Sequence, residues 1–193
     1  MYKLTILHFQ INPVQGHFLD GSLVICPQKS RKCTVIGTTT MKTFQMKKKR
    51  EYKALVKLND STMWITGNDN YDLSTEFITI DGSTKGMDLP FIIQKHCMVI
   101  FKPNFVLIIG GTYKVGYKQE YKSQRTWIVD IENDFNVTDG PLLNEGRILH
   151  TCGTIKDNWG YVLAVVSSEQ TVEILNTTIM EEWEYGKIVL PSL

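Results

Sequence analysis

Four histidines, His8, His17, His96 and His150, and four cysteines, Cys26, Cys33, Cys97 and Cys152, are the side chains able to ligate a metal or serve as base and nucleophile. Their spacing argues against both roles. Metal centres draw ligands at short fixed intervals such as Cys-x-x-Cys, and no such interval occurs. No Gly-x-Ser-x-Gly elbow presents a serine, and no glycine loop ending in lysine cradles a phosphate. The residues therefore predict no catalytic centre, no cofactor and no metal. The cysteines fall in strand-like segments, where buried free thiols are expected, with a disulfide framework as the alternative. Cys97 directly follows His96, whereas Cys152 lies two residues after His150. If those histidines are equivalent, the two thiols point to opposite faces of their strands, which speaks against a bridge between them.

Three other patterns suggest binding. Lys47-Lys48-Lys49-Arg50 reads as a solvated loop between strands, with a nuclear import signal or phosphate patch as the functional alternative. From Thr112 to Gln124, Tyr113, Tyr117 and Tyr121 recur every four residues, each followed by lysine. That spacing fits one face of a helical turn or a hairpin extension equally. Tyrosine offers contact area at low entropic cost, which suits a partner surface; packing of the tyrosines on their own sheet is the competing reading. Asn59, Asn136 and Asn176 each open an Asn-x-Ser/Thr sequon.

The elements that position these residues repeat. Phe105-Val106-Leu107-Ile108-Ile109 is a short apolar run ended by Gly110-Gly111. It reads as a strand buried on both faces, with glycines supplying positive φ and close approach. Met63-Trp64-Ile65-Thr66-Gly67 and Tyr161-Val162-Leu163-Ala164-Val165-Val166 share the layout, and Ser22-Leu23-Val24-Ile25 is a worn copy. Ile25, Ile65, Ile108 and Leu163 stand 40, 43 and 55 residues apart, a period typical of propeller blades. Each unit continues through a polar loop into a strand closing on Asp or Asn: Asp81, Asp130 and Asn176. A proline-marked segment follows, Asp88-Leu89-Pro90, Gly140-Pro141-Leu142-Leu143 or Val189-Leu190-Pro191.

The order Arg-x-x-His, apolar strand, Gly-Gly, polar loop, strand ending in Asp and Gly-Pro-x-Leu resembles the kelch repeat, most closely from His96 to Arg147 and overall from residue 20 to 193. The resemblance implies an all-β, kelch-type β-propeller. It would be a single partial domain, with repeats at 20–50 (partial), 51–95, 96–147 and 148–193. Three complete four-stranded blades plus one partial blade fall short of the five to seven with which such propellers close, so open edges would favour association. Some kelch-like propellers are copper oxidases or bind iron, but no matching acid, histidine or cross-linked tyrosine constellation is present. The implied function is a non-enzymatic protein-interaction module, with a propeller enzyme, a small-ligand site in the central channel or a degenerate structural fragment as alternatives. Arg50, Lys95, Tyr113, Arg125 and Arg147 are the partner-binding candidates, on loops that the resemblance places on one rim.

The 21 basic and 20 acidic residues nearly balance, which predicts no obligatory nucleic acid or membrane partner. The cationic rim would favour another protein or an acidic peptide. The short N-terminal apolar stretch, broken by His8, Gln10 and Asn12, does not read as a secretory signal, and an outer strand is expected there. A cytoplasmic location is expected, with the sequons leaving an extracellular one open.

Overall fold

The computed structural model describes residues 14–67, 72–115, 119–156, 161–166, 171–176 and 180–186. They form an all-β fold, with no helix among them. The first sheet is β1 (Val14–Leu19), β2 (Ser22–Pro27), β3 (Ser30–Ile36) and β4 (Met41–Arg50). The second is β5 (Ala54–Lys57), β6 (Met63–Thr66), β7 (Ser74–Thr79) and β8 (Gly82–Asp88). β9 (Cys97–Lys102) and β10 (Phe105–Ile109) open the third. A separate hairpin, β11 (Thr112–Val115) and β12 (Gln119–Lys122), interrupts it before β13 (Thr126–Asp130) and β14 (Asn136–Asp139). The fourth is β15 (Thr151–Lys156), β16 (Tyr161–Val166), β17 (Val172–Asn176) and β18 (Trp183–Gly186). Every pairing is antiparallel and every four-stranded sheet runs in chain order, an arrangement compatible with a propeller-like fold.

First strands adjoin in the order β1, β5, β9, β15, so the sheets stack face against face. Strand alternation divides the apolar residues between successive interfaces. Leu55 packs toward the first sheet with Val24, Met46, Met63 and Ile65. Its neighbours Ala54 and Val56 pack toward the third sheet with Met98, Val106 and Ile108. Leu107 and Ile109 take the other face of β10 and meet Leu175 and Trp183 of the fourth sheet. The run Phe105–Ile109 is apolar throughout because both of its faces are covered.

The leading unit departs from expectation. Val14–Leu19 completes the first sheet as its inner strand, so the unit has four strands and begins before residue 20. The outward face of this sheet carries a cross-strand row in register, Phe18–Leu23–Ile36–Met41, with Phe18 and Met41 largely exposed. The basic run is also corrected: it lies inside the ten-residue outer strand β4 rather than in a loop. Exposed lysines there discourage edge-to-edge pairing. The loop at 112–124 resolves as a hairpin with Tyr113 opposite Tyr121.

The free-thiol expectation fails at all four cysteines. Cys26 and Cys33 are joined across β2 and β3, and Cys97 and Cys152 are joined between the third and fourth sheets. The opposite-face reasoning was sound for one sheet and misled for two. In a face-to-face stack, the forward face of one sheet meets the rear face of the next. Cys97 points forward and Cys152 points back, so the offset is what lets their Cα atoms approach to 6.1 Å.

Gly110 and Gly111 both hold positive φ, 62° and 94°. A Cβ on Gly110 would lie 2.8 Å from both the Arg147 carbonyl oxygen and His150 Cε1; one on Gly111 would lie 2.6 Å from the Gln94 carbonyl oxygen. Gly110 lets the next unit close onto the second strand, and Gly111 lets the segment entering the third sheet approach it. Loop-closure entropy predicts unequal effects of the bridges. Cys97 and Cys152 are 55 residues apart, against 7 for Cys26 and Cys33, which corresponds to about 4 and about 2 kcal/mol. Denaturant titration of C97S/C152S and C26S/C33S proteins should show the larger loss for the first pair; the reverse order would count against the inter-sheet role of that bridge.

Candidate functional site

Each unit is joined to the next at one end of the sheets, where second strands finish and new first strands begin. The pairings Ile65↔Glu76, Ile108↔Trp127 and Val165↔Glu173 make Glu76, Trp127 and Glu173 equivalent. The pairings Ala54↔Thr66, Cys97↔Ile109 and Thr151↔Val166 make Lys53, His96 and His150 equivalent. Arg50 and Arg147, three residues earlier, then correspond to Ile93.

Arg50 and Arg147 do not reach a shared rim. Both are buried, at 0% and 2% exposure, between one sheet and the next. Arg50 Nε donates to Glu76 Oε1 at 3.1 Å and Arg147 Nε to Glu173 Oε1 at 2.8 Å. Each arginine also donates from Nη1 to a backbone carbonyl two residues before its glutamate, Ser74 at 2.8 Å and Thr171 at 3.3 Å. The carboxylates accept two further backbone bonds each, and Glu173 a third bond from Asn144 Nδ2 at 3.1 Å. Lys47 and Lys48 donate their backbone N–H to Glu76 at 2.7 and 3.1 Å, and Asn144 and Glu145 to Glu173 at 2.7 and 3.3 Å. Arginine and glutamate stand 26 residues apart in both clamps. The carboxylates nearest in sequence, Glu51 and Glu145, are peripheral: Glu51 pairs with Lys49 at 3.3 Å, and Glu145 lies 4.0 Å from Arg147. Burial pulls the Arg50 guanidinium below its ordinary pKa and Glu76 pushes back; arginine stays charged.

The middle joint replaces this clamp with apolar groups. Ile93 and Trp127 are buried in one core, and Phe91 stacks on Trp127 at 4.1 Å. Pro90 occupies the place of Lys47 and Asn144, and proline has no N–H for a carboxylate to accept from. Loss of the charge pair and loss of the donor go together.

A second slot lies three residues on. Lys53 Nζ donates to the Pro27 carbonyl, and burial with nearby Arg50 lowers its pKa to about 8. His96 sits beneath Gly67, where an added Cβ would meet its Cε1 at 3.1 Å, and His150 sits beneath Gly110. His96 Nε2 shares a 2.6 Å hydrogen bond with Thr66 Oγ1. Its Nδ1 is buried with no hydrogen-bond partner among the described residues, whereas the His150 ring meets the Ile109 backbone. Burial lowers the His96 pKa to about 3, assisted by His150, and that of His150 to about 4, assisted by Arg147. Neutral rings wedged against glycine fill space between sheets. Among the described residues no cluster of three or more His, Cys, Asp or Glu could hold a metal ion.

What this end exposes is different. Tyr52, Lys95 and Leu149 precede the three first strands, all with positive φ, 48°, 56° and 52°. They form an arc in which Lys95 N donates to the Tyr52 carbonyl at 3.1 Å and Leu149 N to the Lys95 carbonyl at 2.9 Å. Lys29 and Lys95 lie over the Tyr52 ring, 5.8 and 4.9 Å from its centroid. Arg125 is exposed at the foot of the hairpin, as are Tyr121 and Lys122 on β12. Tyr113 lies on β11 opposite Tyr121; its side chain is outside the described residues, as is Tyr117. The hairpin base is pinned from both sides: Thr112 N donates to the Gln94 carbonyl at 2.8 Å, Ser123 N to Gly111 at 2.8 Å, and Arg147 N to Ser123 at 3.1 Å. Thus Arg125 is exposed and Lys95 half-buried, while Arg50 and Arg147 are buried. Glu76 and Glu173 were missed; the shared 26-residue interval from arginine was the signal that could have found them.

No family model matches the chain, and no relative is found among curated proteins.

Two outcomes follow from the joints. Arg147→Ala leaves Glu173 buried and unpaired, and should cost roughly 3–5 kcal/mol in denaturant titration; a loss below about 1 kcal/mol would contradict the clamp. The histidines add an acid sensitivity. Their folded pKa values lie below the unfolded value near 6.5, so the unfolded chain binds more protons as pH falls. Stability is full above about pH 6.5 and declines toward the folded pKa values of about 3 and 4. At pH 5 the loss is about 2 kcal/mol per histidine. Melting of the wild type and of His96→Gln/His150→Gln protein across pH 7 to 5 should show the slope flattened in the variant; equal slopes would contradict it.

Proposed function

We propose that the chain is a kelch-type partial propeller acting as a non-enzymatic protein-interaction module, and that its contact surface is the end carrying the β11–β12 hairpin and the Tyr52–Lys95–Leu149 arc. The observation that carries this reading is the hairpin itself. It projects outside the four-stranded sheets, yet backbone bonds to Gln94 and Gly111 fix its base. A pre-ordered projection with exposed Tyr121 loses little entropy on binding. Lys29, Lys95, Lys122 and Arg125 give this end a cationic character that complements an acidic peptide or an acidic protein surface. The row Phe18–Leu23–Ile36–Met41 on the first sheet supports association through the open end as well.

Titration with a glutamate-rich peptide tests the reading. Tyr121→Ala/Arg125→Ala protein should bind at least tenfold more weakly, the size expected of interface anchors, with an unchanged melting temperature. Equal affinity for wild type and variant would contradict it.

A further inference from the structure

The opposite end of the sheets carries the sequons. In each meander the turn between first and second strands and the turn between third and fourth strands lie away from the hairpin. Asn59 occupies the β5–β6 turn of the second sheet and Asn136 opens β14 after the β13–β14 turn of the third. Both are exposed, as are Ser61 and Thr138, the hydroxyl residues of their sequons. The Asn59 turn is preshaped: Ser61 donates from both its backbone N and its Oγ to Asn59 Oδ1, each at 3.0 Å. Asn136 lies on the outer edge strand, reached after two positive-φ residues, Asp134 and Phe135. Asn176 is exposed at the same end of the fourth sheet, but the rest of its sequon lies outside the described residues.

A second observation points the same way. All four cysteines are paired, and both bridges are buried. Such pairs persist in oxidising compartments and remain thiols in a reducing cytosol.

We propose that the chain matures in an oxidising, glycosylating compartment and carries N-linked glycans on Asn59 and Asn136, confined to the end opposite the hairpin. The donor is a lipid-linked oligosaccharide diphosphate. The asparagine amide nitrogen bonds to C1 of the first sugar, the C1–O bond to diphosphate breaks, and the lipid diphosphate leaves with the bonding pair. The amide proton passes to the transferase. Each cysteine pair gives up two protons and two electrons to a disulfide-bearing oxidant of that compartment. The cytoplasmic location read from the sequence gives way in this proposal, which does not depend on what the hairpin end binds.

The test is expression of the full chain in cultured animal cells, followed by glycosidase digestion, site mapping by mass spectrometry and thiol alkylation before reduction. The expected result is glycosidase-sensitive protein occupied at Asn59 and Asn136, with no alkylatable cysteine. Asn59→Gln and Asn136→Gln should each remove one mobility increment, and Ser61→Ala and Thr138→Ala should reproduce those losses without touching the acceptor. A glycosidase-insensitive chain with four reactive thiols overturns the proposal. Occupancy at neither Asn59 nor Asn136, with sugar on Asn176 alone, overturns the site assignment.

Discussion

At two of the three joints a carboxylate buried between the sheets fixes how one meets the next. Glu76 and Glu173 each accept from an arginine side chain and from two backbone amides of the preceding segment. Taking such charges out of water is costly, and an apolar pair of similar volume is often equally stable. The chain contains that alternative, Ile93 with Trp127. What the charged version adds is register. A slip by one residue would strand the carboxylate without its donors, whereas an apolar contact tolerates sliding. The compensating Pro90 in the apolar joint fits this view, since an amide there would have no carboxylate to meet.

The same constraint shapes what remains for function. Arginines committed to the joints are unavailable at the surface, so the proposed recognition rests on Lys95, Tyr121 and Arg125. The histidines are likewise consumed by packing under Gly67 and Gly110. The basic and titratable groups of the described joints are buried, with the arginines paired and the histidines neutral.

Much of the fold was legible because strand periodicity reports burial directly. The apolar runs at 63–66, 105–109 and 161–166 are all second strands, and Gly110-Gly111 marks the close approach they predict. The first strand escaped because Val14-Gln15-Gly16-His17-Phe18-Leu19 covers an interface on one face only. The joints were half legible. Arg50 and Arg147 were recognised as equivalent, but their partners lie 26 residues downstream on a strand of the next sheet. The charged residues nearer in sequence, Glu51 and Glu145, stand at the periphery. The Cys97–Cys152 bridge was hidden for a related reason: facing rules within one sheet invert between stacked sheets.

The central claim is that side-chain carboxylates lock the first sheet to the second and the third to the fourth. Native-state hydrogen exchange at the backbone amides of Lys47, Lys48, Asn144 and Glu145 tests it most directly. Lys47, Lys48 and Asn144 are exposed residues whose amides are bonded to a buried carboxylate, and Glu145 adds a fourth such amide. The account predicts that these amides open only with global unfolding, as slowly as the buried Leu107 of β10. Exchange on the timescale of free surface turns, with Leu107 still protected, would contradict it.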